Sequence, residues 1–271
     1  MLLWKKLKRE NMQYLYYIIL GIVSYFIGNI SGARVVSKIK HGDVTKSGSG
    51  NPGTLNVWRT FGFWPGIMTF VLDMLKGLIP CLVAYLTFGY IGCNPEIALY
   101  VAGFSVVLGH VFPVVFKFKG GKGIATSIGV FLVANWWVAL IVFIVMIIGM
   151  IFIKYASIFT IGFVIVMSIV EICLTNPANW VNYIFISMIL ILVMYAHRHN
   201  IVKLFTGKEN KTELLKMLKG IINKKKNQNE QTQVINNPNE LSNIDNSNNT
   251  DSLNQKEEKS TINNDDVGNN T

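Results

Sequence analysis

Apolar residues gather in six long runs, at about 14–30, 64–89, 97–116, 124–153, 156–174 and 181–196. Each is long enough to cross a bilayer core of about 30 Å at about 1.5 Å per helical residue. The pattern predicts an all-α, polytopic membrane helix bundle. The first run follows a basic segment, as a secretory signal does, but five more runs follow it. An uncleaved first helix is therefore expected. The run 124–153 is too long for one crossing, because a helix of that length would reach about 45 Å. Asn135 interrupts it, between Ala134 and the pair Trp136–Trp137. A polar break with aromatic neighbours marks a membrane interface, so the chain is expected to turn back there. That makes seven transmembrane helices.

Charge gives the bundle a direction. The segment 31–63 carries Arg34, Lys38, Lys40, Lys46 and Arg59, and the segment after Phe116 carries Lys117, Lys119 and Lys122. Lys154 and the segment after residue 196 are basic too, whereas the turns 90–96 and 175–180 hold no Lys or Arg. Basic segments belong in the cytoplasm. Seven crossings satisfy this with the N-terminus outside and the C-terminus cytoplasmic. The stretch "WKKLKRE" conflicts, since it would carry four positive charges outside. A translation start at Met12 removes the conflict and is favoured over an overridden rule.

Composition agrees with a membrane protein: 51% of residues are hydrophobic and 15% charged. Residues 1–226 hold 23 Lys/Arg against 7 Asp/Glu, a net +16, and residues 227–271 hold 2 against 8, a net −6. The expected organisation is a basic extension (1–13), a membrane catalytic domain (14–212), a basic juxtamembrane segment (213–226) and a disordered Asn-rich tail (227–271). The segment "ELLKMLKGIINKKK" suits a short amphipathic helix on an anionic leaflet. The tail has too few large apolar residues to offset its ordering entropy. Cys81, Cys93 and Cys173 show no metal spacing and read as small buried hydrophobes. No metal or other cofactor is implied, and no nucleic-acid partner.

Three polar islands fall on the predicted cytoplasmic side. In "SGSGNPGTLNVWR", Gly48, Gly50 and Gly53 permit close backbone approach. Ser49, Asn51 and Asn56 supply hydrogen bonds, and Arg59 supplies a planar cationic fork. In "FKFKGGKGIATS", Gly120, Gly121 and Gly123 can turn successive N–H groups inward as an anion nest. Lys122 adds a charge, and the helix that follows aims its N-terminus at the same place. The nucleotide P-loop pattern does not fit, because Phe116 and Gly123 stand where it needs glycine and Ser/Thr. In "HRHNIVKLFTGKENK", His197, Arg198, His199, Asn200 and Lys203 follow the last run directly. Within the runs, Asp73 and Lys76 share a helix face and are expected to pair. His110 reads equally as a packing residue or a base, and Glu171 as a solvated residue at the outer end. Two anion cradles with their own cations imply an interfacial enzyme handling two phosphates. An organic-phosphate transporter is the alternative, but few intramembrane charges are available to build its path.

The islands "GSGNPGTLNVWRT", "LGHVFPVVFKFKGGKGIAT" and "HRHNIVKLFTGKENK", with "LDMLKG" at 72–77, resemble the motifs of the bacterial membrane acyl-phosphate:glycerol-3-phosphate acyltransferases, the PlsY family. The resemblance covers about residues 14–211, in the family's order. It implies seven spans with the N-terminus outside and a pocket facing the cytoplasm. It also implies transfer of an acyl group from acyl phosphate to sn-glycerol 3-phosphate, with lysophosphatidate and phosphate as products. By position, Ser49, Arg59, Lys122, His197 and Asn200 would line the glycerol-phosphate site, and Gly120, Gly121 and Gly123 would hold the donor's phosphate. Leu55 stands where the family often has Thr, and Ala196 and His199 replace an Arg and a Glu, so none of these three receives a role. The donor implies an enzyme that makes acyl phosphate. A mixed anhydride is already activated, so no covalent intermediate is needed. A substrate phosphate oxygen is the favoured proton acceptor, with His110 the protein alternative.

Overall fold

The computed structural model describes residues 2–209 and 211–212; the expected juxtamembrane helix and tail lie outside the described residues. Among the described residues there are α-helices and short 3-10 turns but no strand. The helices are α1 (Leu2–Gly28), α2 (Gly32–Ile39), α3 (Thr54–Phe61), α4 (Phe63–Phe88), α5 (Pro95–Val111), α6 (Ile124–Ala134), α7 (Trp136–Ile153), α8 (Ala156–Leu174), α9 (Trp180–Ala196) and α10 (Arg198–Phe205). The basic N-terminal stretch continues α1 rather than forming a separate element. Five segments are long and apolar enough to cross a membrane: Asn11–Ile39, Phe63–Ile91, Pro95–Phe116, α7 and α8. A sixth is α9 taken with α10, which meet at a bend of 58°. The apolar α6 has only 11 residues and spans about 16 Å.

Asn135 separates α6 from α7, as its polarity led us to expect. Gly77 of α4 lies against Thr126, and Gly129 of α6 against Met74 and Leu78, so α6 packs backbone to backbone on the middle of α4. Beyond Asn135 the chain comes back. Phe143 of α7 stacks on Phe70 of α4 with ring centroids 5.7 Å apart, and Met150 packs with Leu55 and Trp58. Thus Leu55, where the family often has a polar residue, joins an apolar cluster.

The bundle has two chemically different ends. At one, Tyr17 stacks on Phe88 and its hydroxyl donates to the Asn94 carbonyl at 3.1 Å. Asn94 caps α5 there by accepting from the amides of Glu96 and Ile97, with Pro95 in the first turn. At the other end the Tyr25 hydroxyl donates to the Phe112 carbonyl at 2.8 Å, beside the glycine-rich islands. Helices α1 and α5 run parallel between these ends, with Gly28 and Gly109 in close backbone contact. Ile18, Ile22 and Phe26 on α1, and Ile141, Ile144, Val145 and Ile148 on α7, face outward. Such faces are far too apolar for water and suit lipid.

Buried polar groups tie the helices together. Lys76 Nζ lies 2.8 Å from Asp73 Oδ1, as the shared face predicted, and also donates to the Ile30 carbonyl at 2.5 Å. Asp73 Oδ1 accepts from the Gly32 amide at 3.0 Å, which fixes the α1–α2 corner against α4. Two expectations are corrected. Glu171 is only 5% exposed rather than solvated, because it accepts the Tyr100 hydroxyl at 2.7 Å inside the α5–α8 contact. Cys173 is exposed on α8, unlike the buried Cys81 and Cys93.

Candidate active site

The first island folds around Asn56. This residue is buried, and its amide nitrogen donates to the Val44 carbonyl at 2.9 Å and the Ser47 carbonyl at 3.0 Å. Its oxygen accepts from the Ser49 amide at 2.9 Å. Its polar atoms are thus used to shape the loop. Gly48 has φ +57° and passes so close to the Asn56 oxygen that a Cβ would overlap it. Gly48, Ser49 and Gly50 stand exposed at the rim, and Asn51 is half-buried beside Gly53. Arg59, on α3, keeps much of its side chain exposed and donates to the Thr212 hydroxyl at 2.8 Å. Partial burial lowers its pKa, against the pull of Glu209.

The second island is held from below. The Gly121 amide donates to the His110 carbonyl at 3.1 Å, and a Cβ on Gly120 would overlap that same oxygen. The His110 ring lies under the loop: a Cβ on Gly121 would overlap its Nε2, and its Nδ1 is 3.7 Å from Asp73. His110 is therefore placed as a support of the loop rather than at its opening. Arg34 fixes the loop's approach. It donates to the Lys119 carbonyl at 3.1 Å and covers the Phe116 ring at 4.3 Å. Gly123, at φ +85°, starts α6, and no side chain caps it. The first amides of α6 are thus free for an anion. Burial pushes the Lys122 ammonium down to about 8 against the pull of Glu209, and Lys203 and Arg59 push the same way.

The islands meet. Gly121 lies against the Pro52 carbonyl of the first, and Gly123 against Val193, one turn before His197. His197 is 1% exposed, and its Nδ1 sits 2.9 Å from the Val193 carbonyl. That bond requires the proton on Nδ1 and leaves Nε2 as the free acceptor. Asn200 on α10 donates to Glu209 Oε1 at 2.8 Å, and the Ser157 hydroxyl reaches the same oxygen at 2.5 Å. Residues 207–209 and 211–212 fold back as a strap, with the Thr212 amide donating to the Lys154 carbonyl at 2.6 Å. Lys122 feels Arg59, Lys203 and Glu209, and Arg59 feels Glu209 too, so three cations stand against one acid, an excess of two positive charges. A phosphate monoester carries about −1.5 to −2 at neutral pH and matches that excess. His199, which received no role, is exposed.

Comparison with known proteins gives this basic, glycine-lined site a lineage. The family model described as glycerol-3-phosphate acyltransferase matches residues 18–207. The chain belongs to that family. It is 41% identical over 201 residues to a glycerol-3-phosphate acyltransferase of Finegoldia magna, covering 74% of this chain and 98% of the relative. Against the Aquifex aeolicus enzyme of the same name the identity is 37% over 195 residues, covering 72% and 98%. Among solved structures it is similar to PlsY (YgiH), an integral membrane glycerol 3-phosphate acyltransferase, in its glycerol 3-phosphate form. The TM-score is 0.67 at 36% identity, over 75% of this chain and 98% of that one. The lysophosphatidic acid form of the same protein gives a TM-score of 0.66. The chain is thus a multi-pass membrane acyltransferase of glycerol 3-phosphate.

Of the residues singled out from the sequence, the structure brings Arg59, Lys122, His197 and Asn200 together around Glu209. It does not bring Ser49 into side-chain contact with them: among the described residues no hydrogen bond is formed by its hydroxyl. Sequence reading missed Arg34, Ser157, Glu209 and Thr212. Glu209 carried one available signal, as the only acid in the basic third island between residues 197 and 211.

Proposed function

We propose that the protein transfers a fatty acyl group from acyl phosphate to the C1 hydroxyl of sn-glycerol 3-phosphate. The products are 1-acyl-glycerol 3-phosphate (lysophosphatidate) and inorganic phosphate, made for phospholipid biosynthesis. The observation that carries this is the convergence of Arg59, Lys122, His197 and Asn200 with an uncapped helix N-terminus. The excess cations suit one phosphate and the free amides at the start of α6 a second, and the chemistry needs both. The hydroxyl oxygen attacks the acyl carbonyl carbon, forming the ester C–O bond. The bond from that carbon to the phosphate oxygen breaks, and phosphate leaves with the electron pair. The hydroxyl proton passes to a phosphate oxygen. The place of His110 beneath the loop favours this acceptor over the imidazole.

Each group has a part in that scheme. Lys122, the Gly120–Gly123 backbone and the first turn of α6 hold the leaving phosphate and stabilise its growing charge. Arg59, His197 and Asn200, with Ser49 at the rim, hold the phosphate of glycerol 3-phosphate and aim its hydroxyl. Glu209 keeps the cations together. Counting α6 as a short crossing gives seven helices, and the basic island end then faces the cytoplasm of a bacterial cell. The donor is supplied by an enzyme that makes acyl phosphate.

The test uses the purified full chain in lipid with palmitoyl phosphate and glycerol 3-phosphate. Phosphate and lysophosphatidate should appear in equal amounts, only when both substrates are present. Palmitoyl-coenzyme A in place of palmitoyl phosphate should give nothing. Product from the thioester, or phosphate release without glycerol 3-phosphate, would refute the assignment of donor and mechanism.

A further inference from the structure

A trough of about 490 Å³ runs between α8, α9 and α10. Ile158, Ile161, Ile165, Met194 and Leu204 line it, and Glu209 stands at its polar end. Ser157, at the foot of α8, bonds that same Glu209, so the trough ends against the cationic site described above. Its volume is in the usual range of small-ligand sites. No cation lines the trough itself, but Glu209 at its end draws on Lys122 and Arg59 just beyond, so the trough suits the hydrocarbon tail of an amphiphile whose phosphate head lies among those cations.

A second observation comes from α8 itself. Gly162 lines the trough, and a Cβ built on it would meet nothing within 4 Å. Every other glycine inside α1 to α9 would bring a Cβ to within 3.3 Å of a neighbouring group. Those glycines are explained by close helix packing. Gly162 is not, although a glycine inside a helix weakens it relative to alanine. What Gly162 leaves is open space in the trough wall, five residues or about 7.5 Å along the helix from Ser157.

We infer that the trough holds the acyl chain of the acyl phosphate, and that Gly162 keeps it open to long chains. This rests on the acyl-transfer reading above. A larger side chain at position 162 narrows the trough beyond its first few carbons, so long chains suffer more than short ones. The experiment compares palmitoyl phosphate with octanoyl phosphate, using wild type and the series Gly162→Ala, Gly162→Val and Gly162→Leu in the full chain in lipid. The palmitoyl-to-octanoyl ratio of kcat/KM should fall stepwise along the series, by about tenfold at Gly162→Leu, the discrimination a misfitting methylene commonly causes. Should Gly162→Leu be inactive with both donors, Gly162→Ala and Gly162→Val decide by the same ratio. A ratio that stays constant along the series overturns the assignment and leaves the trough to bilayer lipid. A wild type inactive with either donor refutes instead the acyl-phosphate reaction, so the two failures are distinct.

Discussion

Lys122 carries its charge into a half-buried place. The sequence made it visible as a lysine among glycines between two apolar runs, whereas Glu209 was marked only as the single acid of a basic island. The partners of Glu209 come from the foot of α8 and from α10, a proximity that only the folded strap creates. Burial lowers the Lys122 pKa to about 8. As pH rises through that value the ammonium loses its proton and the site loses an anion-binding charge. We expect kcat/KM for glycerol 3-phosphate to fall about tenfold per pH unit above about 8. Unfolding does not explain such a fall. Between about pH 8 and 10.5 the unfolded chain binds more protons at Lys122 than the folded one, so this residue's contribution to stability rises with pH. The check is a pH–rate profile beside thermal melts, with Lys122→Arg as the comparison. Arginine stays charged, so that variant should be slower at neutral pH and lack the alkaline limb. A wild-type rate that is flat to pH 10 removes Lys122 charge from the account.

Helix-scale features were legible to different degrees. The break at Asn135 could be read because one polar residue in a long apolar run has a cost that only an interface or a turn relieves. The strap could not, because residues 207–209 and 211–212 have no periodicity and are held by scattered contacts to Lys154, Ser157, Asn200 and Arg59. The close approach of α4 to α6 was equally hidden, since Gly77 and Gly129 look like any other membrane glycines. They sit in opposite walls of one contact: a Cβ on Gly77 would overlap the Thr126 carbonyl, and one on Gly129 the Met74 carbonyl. Backbone against backbone leaves no side chain to yield. Gly77→Val should push α6 outward and move the GGKG loop with it. A displacement of about 1 Å can reduce turnover about a hundredfold, and overpacking costs about 1–3 kcal/mol of stability. Steady-state kinetics and thermal unfolding in detergent check both. Unchanged turnover would show that the loop does not depend on this contact.

For the whole molecule, direction in the membrane links the two ends to two compartments. The end with Tyr17, Phe88, Asn94 and Glu96 has no Lys or Arg in its turns 90–96 and 175–180, and the island end holds the basic segments. If the islands face the cytoplasm, glycerol 3-phosphate reaches them without crossing the bilayer and phosphate returns to the same pool. The opposite orientation would strand a soluble metabolite's site outside the cell. Tyr90 lies in the uncharged turn and is 91% exposed, and Lys208 is exposed at the island end. Cys173 is already exposed, so the experiment starts from Cys173→Ser to silence it. In that background Tyr90→Cys should react with a membrane-impermeant maleimide on intact cells. Lys208→Cys should react only after the membrane is permeabilised. Labelling of both in intact cells would mean a mixed orientation, and the reverse pattern would put the phosphate site outside. The expected pattern follows from the positive-inside rule acting on segments that carry the catalytic cations themselves. On the proposed reading the lysines and arginines that orient the bundle include those that bind its substrates, so at Arg59 or Lys122 a substitution should alter labelling pattern and turnover together.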